Sequence, residues 1–194
     1  MVNNICIFCG SNSGSLLQYR QQAEEMANLI AQSGKTLVYG GGNVGLMGVI
    51  ADAVLRHNGR VIGVIPDFLM KKEVGHTALT ELVIVQTMHE RKQRMSQLAD
   101  AFIMLPGGIG TLEEFFEVFT WGQLGLHAKP MGILNTEGYY EHLLAFLNHA
   151  VAQRFLSPDN RSMIITDTTC TALFTKLNNY TAPTTEKWLE NSRT

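Results

Sequence analysis

Seven short β-rich runs alternate with helical patterns over almost the whole chain, and no other feature restricts the fold as strongly. The strand-like runs lie at residues 4–9, 36–39, 60–65, 81–86, 101–105, 131–134 and 163–166. Helical patterns fall between them at 18–33, 46–58, 88–99, 112–124, 139–153 and 168–177. Several strand runs are apolar throughout, as expected when helices cover both faces of a sheet. The alternation implies an α/β fold, a single-domain doubly wound parallel sheet flanked by helices. Gly34 and Gly59 follow two of the helical patterns, where helix-ending glycines belong. The least structured internal piece, 66–80, reads as a loop over the carboxyl edge of the sheet, and 181–194 as a C-terminal tail after a domain at 1–180.

Composition narrows the function. The chain has 194 residues, 45% of them hydrophobic, enough for the core of one domain. Its net charge of −2 lacks the basic footprint of a nucleic-acid binder, so any phosphate recognition must be local. The opening "MVNNICIF" has no basic leader, and no stretch approaches the ~18 apolar residues of a membrane span. With three cysteines and no disulfide pattern, a cytoplasmic location is expected. Cys6 and Cys9 spell C-x-x-C, but a redox pair normally opens a helix, whereas residues three apart on a strand point to opposite faces.

Ligands of open α/β sheets bind at the carboxyl ends of strands. Three glycine-rich loops fall there: "CGSNSG" with Gly10 and Ser11, "YGGGNVGLMG" with Gly41, Gly42 and Gly45, and "PGGIGT" with Gly107, Gly108, Ile109, Gly110 and Thr111. Glycine lets a ligand approach backbone N–H groups, and a following helix adds its unpaired N–H groups and its dipole. Together the loops predict a nucleotide or sugar-phosphate site. Gly40, Gly42 and Gly45 also satisfy G-x-G-x-x-G, with Asp67 as the only acidic residue offered for a ribose. That match supports an NAD-type oxidoreductase as an alternative, although it is not on the first strand.

Glu113 and Glu114 follow the third loop at once, where an anion site would not be expected to hold acids. Thr111 and Glu114 have the spacing of a capping box, and Glu113 would complement the helix dipole. Against capping alone, Glu114 shares a helical stripe with Val118 and Trp121, and a sheltered carboxylate needs a partner. In "MHERKQRMSQLAD", Arg91 falls on the stripe of Met88, Met95 and Leu98, with Lys92 beside it. A guanidinium can bridge a carboxylate and a phosphate. Glu114 would then face positive charge developing at a sugar C1′ during glycosidic hydrolysis. A non-catalytic nucleotide carrier would use the same loops without such an acid.

"MHERK" at 88–92 and "PGGIGTLEE" at 106–114, with "YGGGNVGLMG", "TWGQLGLHAKP" and "LNTEGYY", resemble the LOG family of cytokinin riboside 5′-monophosphate phosphoribohydrolases, historically mislabelled lysine decarboxylases. The resemblance covers about residues 3–180, with no motif residue missing. It implies a Rossmann-like fold, a homodimer, and cleavage of adenine-type nucleoside 5′-monophosphates, AMP included, without metal or organic cofactor. Arg91 and Glu114 match the family's catalytic positions. Its nucleotide-binding positions match Glu73, Arg91, Lys92, Gly108, Ile109, Gly110, Thr111, Leu112, Glu113, Glu114 and Thr120. Met88 and the 66–80 loop are expected near the base. Helix 112–124, apolar almost all round, is expected at or near a subunit interface.

Overall fold

The computed structural model describes residues 2–71 and 75–182. Seven strands form one sheet: β1 (Asn4–Phe8), β2 (Thr36–Tyr39), β3 (Arg60–Pro66), β4 (Glu81–Val85), β5 (Ala101–Met104), β6 (Met131–Leu134) and β7 (Ile164–Asp167). The long helices between them are α1 (Leu17–Gln32), α2 (Gly45–Arg56), α4 (Met88–Leu98), α5 (Ile109–Gln123), α6 (Glu141–Ala152) and α8 (Cys170–Asn178). Two short helices, α3 (Asp67–Met70) and α7 (Pro158–Ser162), occupy stretches the sequence pattern leaves without structure. Every strand pair is parallel, in the order β4-β3-β2-β1-β5-β6-β7. The chain runs outward from β1 through β4, then returns to place β5 against the other side of β1. The order therefore reverses between β1 and β5, where doubly wound sheets open a crevice at their carboxyl ends.

Two apolar layers sandwich the sheet. Ile5, Ile7 and Cys9 face one layer with Met26, Ile30 and Ile50 from α1 and α2. Cys6 and Phe8 face the other with Met95, Phe115 and Phe119 from α4 and α5. Side chains alternate across a strand, so the sheet separates the two cysteines of the C-x-x-C motif, and both are free and buried.

Helix ends differ from expectation in two places. After α2 the left-handed residue is Asn58, with φ of 57°, and not Gly59. Gly59 is small for packing, since a Cβ there would lie 2.6 Å from Val54 Cγ1 and 2.9 Å from Ala31 Cβ. Helix α5 begins at Ile109, three residues before the expected start at 112. Gly34 does take the left-handed conformation after α1, with φ of 67°. Glu73 and the tail from 183 onward lie outside the described residues.

The loops at the crevice bind one another before any ligand arrives. Gly10 N–H donates to Pro106 O at 3.0 Å, and Leu46 N–H donates to Gly10 O at 3.0 Å. The first contact joins the loops after β1 and β5; the second ties the start of α2 to the same turn. Gly45 makes this approach possible, because it has φ of +58° and a Cβ there would lie 2.2 Å from Ser11 C. Gly45→Ala should therefore cost at least about 2 kcal/mol, seen as a Tm lower by roughly 5 °C in thermal unfolding. An unchanged Tm would mean that the loops part without penalty.

Candidate active site

A cleft of about 500 Å³ opens at the β1/β5 crevice, within the usual size range for small-ligand sites. Of the residues expected from sequence, Gly10, Ser11, Met88, Arg91, Gly107, Gly108, Ile109, Gly110, Thr111, Glu113 and Glu114 line it.

Its anion-attracting end is the start of α5. Gly108 is the N-cap and supplies no side-chain bond. The first helical bond runs from Leu112 N–H to Gly108 O at 3.1 Å, which leaves the N–H groups of Ile109, Gly110 and Thr111 without partners inside the helix. Because the helix starts at 109, Thr111 is already in its first turn and cannot cap it. The capping box expected of Thr111 and Glu114 is absent, and Glu114 is released from that role. Thr111 instead sits buried beneath Gly107, where a Cβ would lie 2.2 Å from Thr111 Oγ1.

The second glycine loop works differently from expectation. Gly41, Gly42 and Gly45 do not border the cleft; their neighbours Leu46 and Met47 do. The α2 terminus is partly used up, since Leu46 N–H already serves Gly10 O. Gly41, at φ of +72°, packs on Val64 and Ile65 of β3, and His76 N–H donates to its carbonyl at 2.9 Å. Of the helices after the second and third glycine loops, only α5 thus keeps its whole first turn free of partners from outside the helix.

Arg91 and Glu114 meet at the floor. Arg91 is 8% exposed, so it does not snorkel to the surface. Its Nε donates to Val64 O and its Nη2 to Gly40 O, each at 3.2 Å. Its Nη1 then lies 3.5 Å from Glu114 Oε1, whose side chain is 12% exposed. Burial pushes the Glu114 carboxyl above its ordinary value of 4.5; Arg91 opposes the shift, Glu113 adds to it, Lys92 opposes it and Glu117 adds to it. Burial likewise raises the Cys9 thiol at the cleft wall, which keeps it protonated and unreactive at neutral pH.

Lys92, which matches a nucleotide-binding position of the family, does not line the cleft. Its ammonium contacts Glu113 Oε1 and lies 3.2 Å from Glu117 Oε2, and it borders the cleft only through Glu113. Two carboxylates already neutralise it. Leu112 packs partly buried on the core, and exposed Thr120 donates to Phe116 O at 2.7 Å; neither lines the cleft. Asp67, offered for a ribose, opens α3 and pairs with Lys71 just past that helix, away from the cleft. No lysine among the described residues borders the cleft.

Two contributors escaped the sequence reading. Tyr139 OH donates to Gly107 O at 2.7 Å, and Tyr140 OH donates to Leu105 O at 2.8 Å. Both brace the loop after β5 from the segment following β6. Tyr139 also lines the cleft and meets Tyr19 edge-on at 5.6 Å. The available signal was "EGYY" just past a strand at the same sheet edge.

A family model described as "Possible lysine decarboxylase" matches residues 47–177. The chain is 49% identical over 176 residues to the probable cytokinin riboside 5′-monophosphate phosphoribohydrolase LOGL9 of Oryza sativa subsp. japonica, covering 91% of this chain and 78% of that protein. It is 47% identical over 176 residues to cytokinin riboside 5′-monophosphate phosphoribohydrolase LOG1 of Arabidopsis thaliana, covering 91% and 83%. Among solved structures, the molybdenum cofactor binding protein of Rippkaea orientalis superposes with a TM-score of 0.70 at 20% identity, covering 92% of this chain and 97% of that one. The Moco carrier protein of Chlamydomonas reinhardtii gives 0.71 at 16% identity, covering 92% and 97%. At these identities the structural likeness concerns the Rossmann-like fold alone.

A carboxyl whose pKa is raised by folding lowers stability once it ionises. The penalty is absent below the ordinary value of 4.5, where Glu114 is protonated in both states, and complete above the folded value. Glu114→Gln, a neutral isostere, should therefore gain in Tm relative to the wild type as pH rises from about 4 to about 7.5. A gap that narrows over this interval would show the carboxylate to be net stabilising.

Proposed function

The chain belongs to the LOG family, and from that premise we propose that it hydrolyses the N-glycosidic bond of adenine-type nucleoside 5′-monophosphates, AMP and cytokinin riboside 5′-monophosphates, to the free base and ribose 5-phosphate. The observation that carries this reading is the buried Arg91–Glu114 pair, 3.5 Å apart, opening on a cleft beside an uncapped helix start. The monoester accepts hydrogen bonds from the free N–H groups of Ile109, Gly110 and Thr111 and is favoured by the helix dipole. The ribose then lies over Glu114. As the C1′–N bond breaks, its electron pair leaves with the base and positive charge grows on C1′ and the ring oxygen. The Glu114 carboxylate faces that charge and orients the water whose oxygen bonds to C1′, while the proton that water gives up passes, in net, to the departing base. Arg91 holds the carboxylate ionised and in place. Glu113, tied by Lys92, borders the sugar side.

A non-catalytic nucleotide carrier on this scaffold would need the α5 start but not a buried acid. Burying Glu114 costs stability that phosphate binding alone does not require, which favours the hydrolase. The oxidoreductase alternative loses its ribose acid, since Asp67 stands away from the cleft.

The partner is a second copy of the chain. Around α5 and its exit, Ile109 is 81% exposed, Leu124 68% and Leu126 71%, with Phe116 and Trp121 half-buried between them. Such an exposed apolar strip marks an interface. No helix among the described residues is long and apolar enough to cross a membrane. A cytoplasmic location and the absence of nucleic-acid binding complete the proposal.

Purified protein incubated with AMP should release adenine and ribose 5-phosphate, resolved by chromatography. If neither AMP nor isopentenyladenosine monophosphate is cleaved, the reading fails. Glu114→Gln should lower turnover by roughly 10²–10⁴-fold while AMP still binds. Sedimentation at micromolar concentration should give twice the 21.5 kDa chain mass, and a monomer would refute the interface.

A further inference from the structure

The glycines of "YGGGNVG" do not all serve the backbone. Gly41 and Gly45 have φ of +72° and +58°, a conformation that disfavours any side chain. Gly40 is not among the glycines at positive φ, so its backbone gives no reason for glycine. Its surroundings do. A Cβ on Gly40 would lie 1.8 Å from Arg91 Nη2, 3.0 Å from Cζ and 3.4 Å from Nε, and these are its three nearest atoms. The space where a side chain would begin is filled by one guanidinium.

We propose that Gly40 is a positioning residue for the hydrolysis: its missing side chain forms the seat of Arg91 and thereby sets the guanidinium against Glu114. The proposal rests on the functional reading above. Arg91 is held on two sides by backbone carbonyls, Nη2 on Gly40 O and Nε on Val64 O, and only Nη1 remains to face the carboxylate. A methyl at 40 cannot coexist with Nη2 in this seat. The atoms it meets are the end of a flexible side chain rather than backbone, so the guanidinium moves and the sheet does not. The fold survives the change and the site geometry does not.

Glu114 registers the displacement. On α4 it faces Arg91 and Lys92, on α5 Glu113 and Glu117, and on β1 and just past its end the neutral thiols of Cys6 and Cys9. Of these, Arg91 is the strongest influence favouring the ionised carboxyl. Moving it away leaves burial, Glu113 and Glu117 less opposed, so the carboxyl binds its proton to higher pH. A reaction that needs the carboxylate then loses its acid limb at higher pH than the wild type does.

The test is a cycle of Gly40→Ala, Arg91→Lys and the double variant, assayed on AMP with wild type as control. Lysine has no Nη2, so the seat no longer matters in its presence. Gly40→Ala should lower kcat/KM by roughly 10–100-fold, move the acid limb upward and leave Tm within a few degrees. Added to Arg91→Lys, it should cost nothing further. A full additional loss in the double variant would overturn the proposal, as would a wild-type pH profile or an unfolded Gly40→Ala. A ¹³C-carboxyl NMR titration of Glu114, assigned with Glu114→Gln, reads the same shift without turnover. An inactive wild type would therefore sink the functional reading alone, and an unmoved Glu114 titration in Gly40→Ala would sink this one.

Discussion

A largely buried carboxylate beside an uncapped helix start is the constraint around which the rest of this molecule is arranged. Ionised, Glu114 is unfavourable where it lies, and two cations make it tolerable: the Arg91 guanidinium at 3.5 Å and, less strongly, the Lys92 ammonium. The guanidinium is itself buried, and an unpaired buried cation is as costly as an unpaired anion. Carbonyls from the ends of β2 and β3 solve that second problem, and they can do so only because the sheet brings those strand ends within reach of α4. Topology, backbone polarity and one missing side chain thus meet at a single group.

The same logic explains why three glycine loops do not make three phosphate cradles. The loop after β2 spends its conformational freedom on contacts with β3 and with the turn after β1, and its helix start is already partly satisfied. Lys92 is neutralised by Glu113 and Glu117. At the start of α5 the free donors are therefore backbone N–H groups, whose positions do not depend on long flexible side chains. Structures with TM-scores near 0.7 share the Rossmann-like fold at 16–20% identity, so the scaffold alone does not prescribe the chemistry.

Sequence patterns disclosed the sheet, the strand positions and the meeting of Arg91 with Glu114, because each depends on periodicity that local residues carry. What they misjudged depends on where a helix begins. Reading α5 from 112 instead of 109 made Thr111 a cap and gave Glu114 a structural excuse, since nothing in "PGGIGT" says which residue first turns helical. Gly59 looked like the helix terminator although Asn58 has the left-handed backbone, a choice decided by how closely Val54 and Ala31 approach. The tyrosines after β6 carried no local signal of their targets, which lie 32 and 35 residues earlier in the chain.

Those tyrosines have a mechanical corollary. Tyr140 is buried and grips Leu105 O, whereas Tyr139 is 43% exposed and grips Gly107 O from the rim. The loop is consequently tied at three successive residues: Leu105 by Tyr140, Pro106 by Gly10 N–H and Gly107 by Tyr139. Of the two tyrosine ties only the Tyr139 one is open to solvent. A change at residue 139 would therefore reach Gly107 and the cleft rim at the scale of one hydrogen bond, with the buried tie beneath left in place.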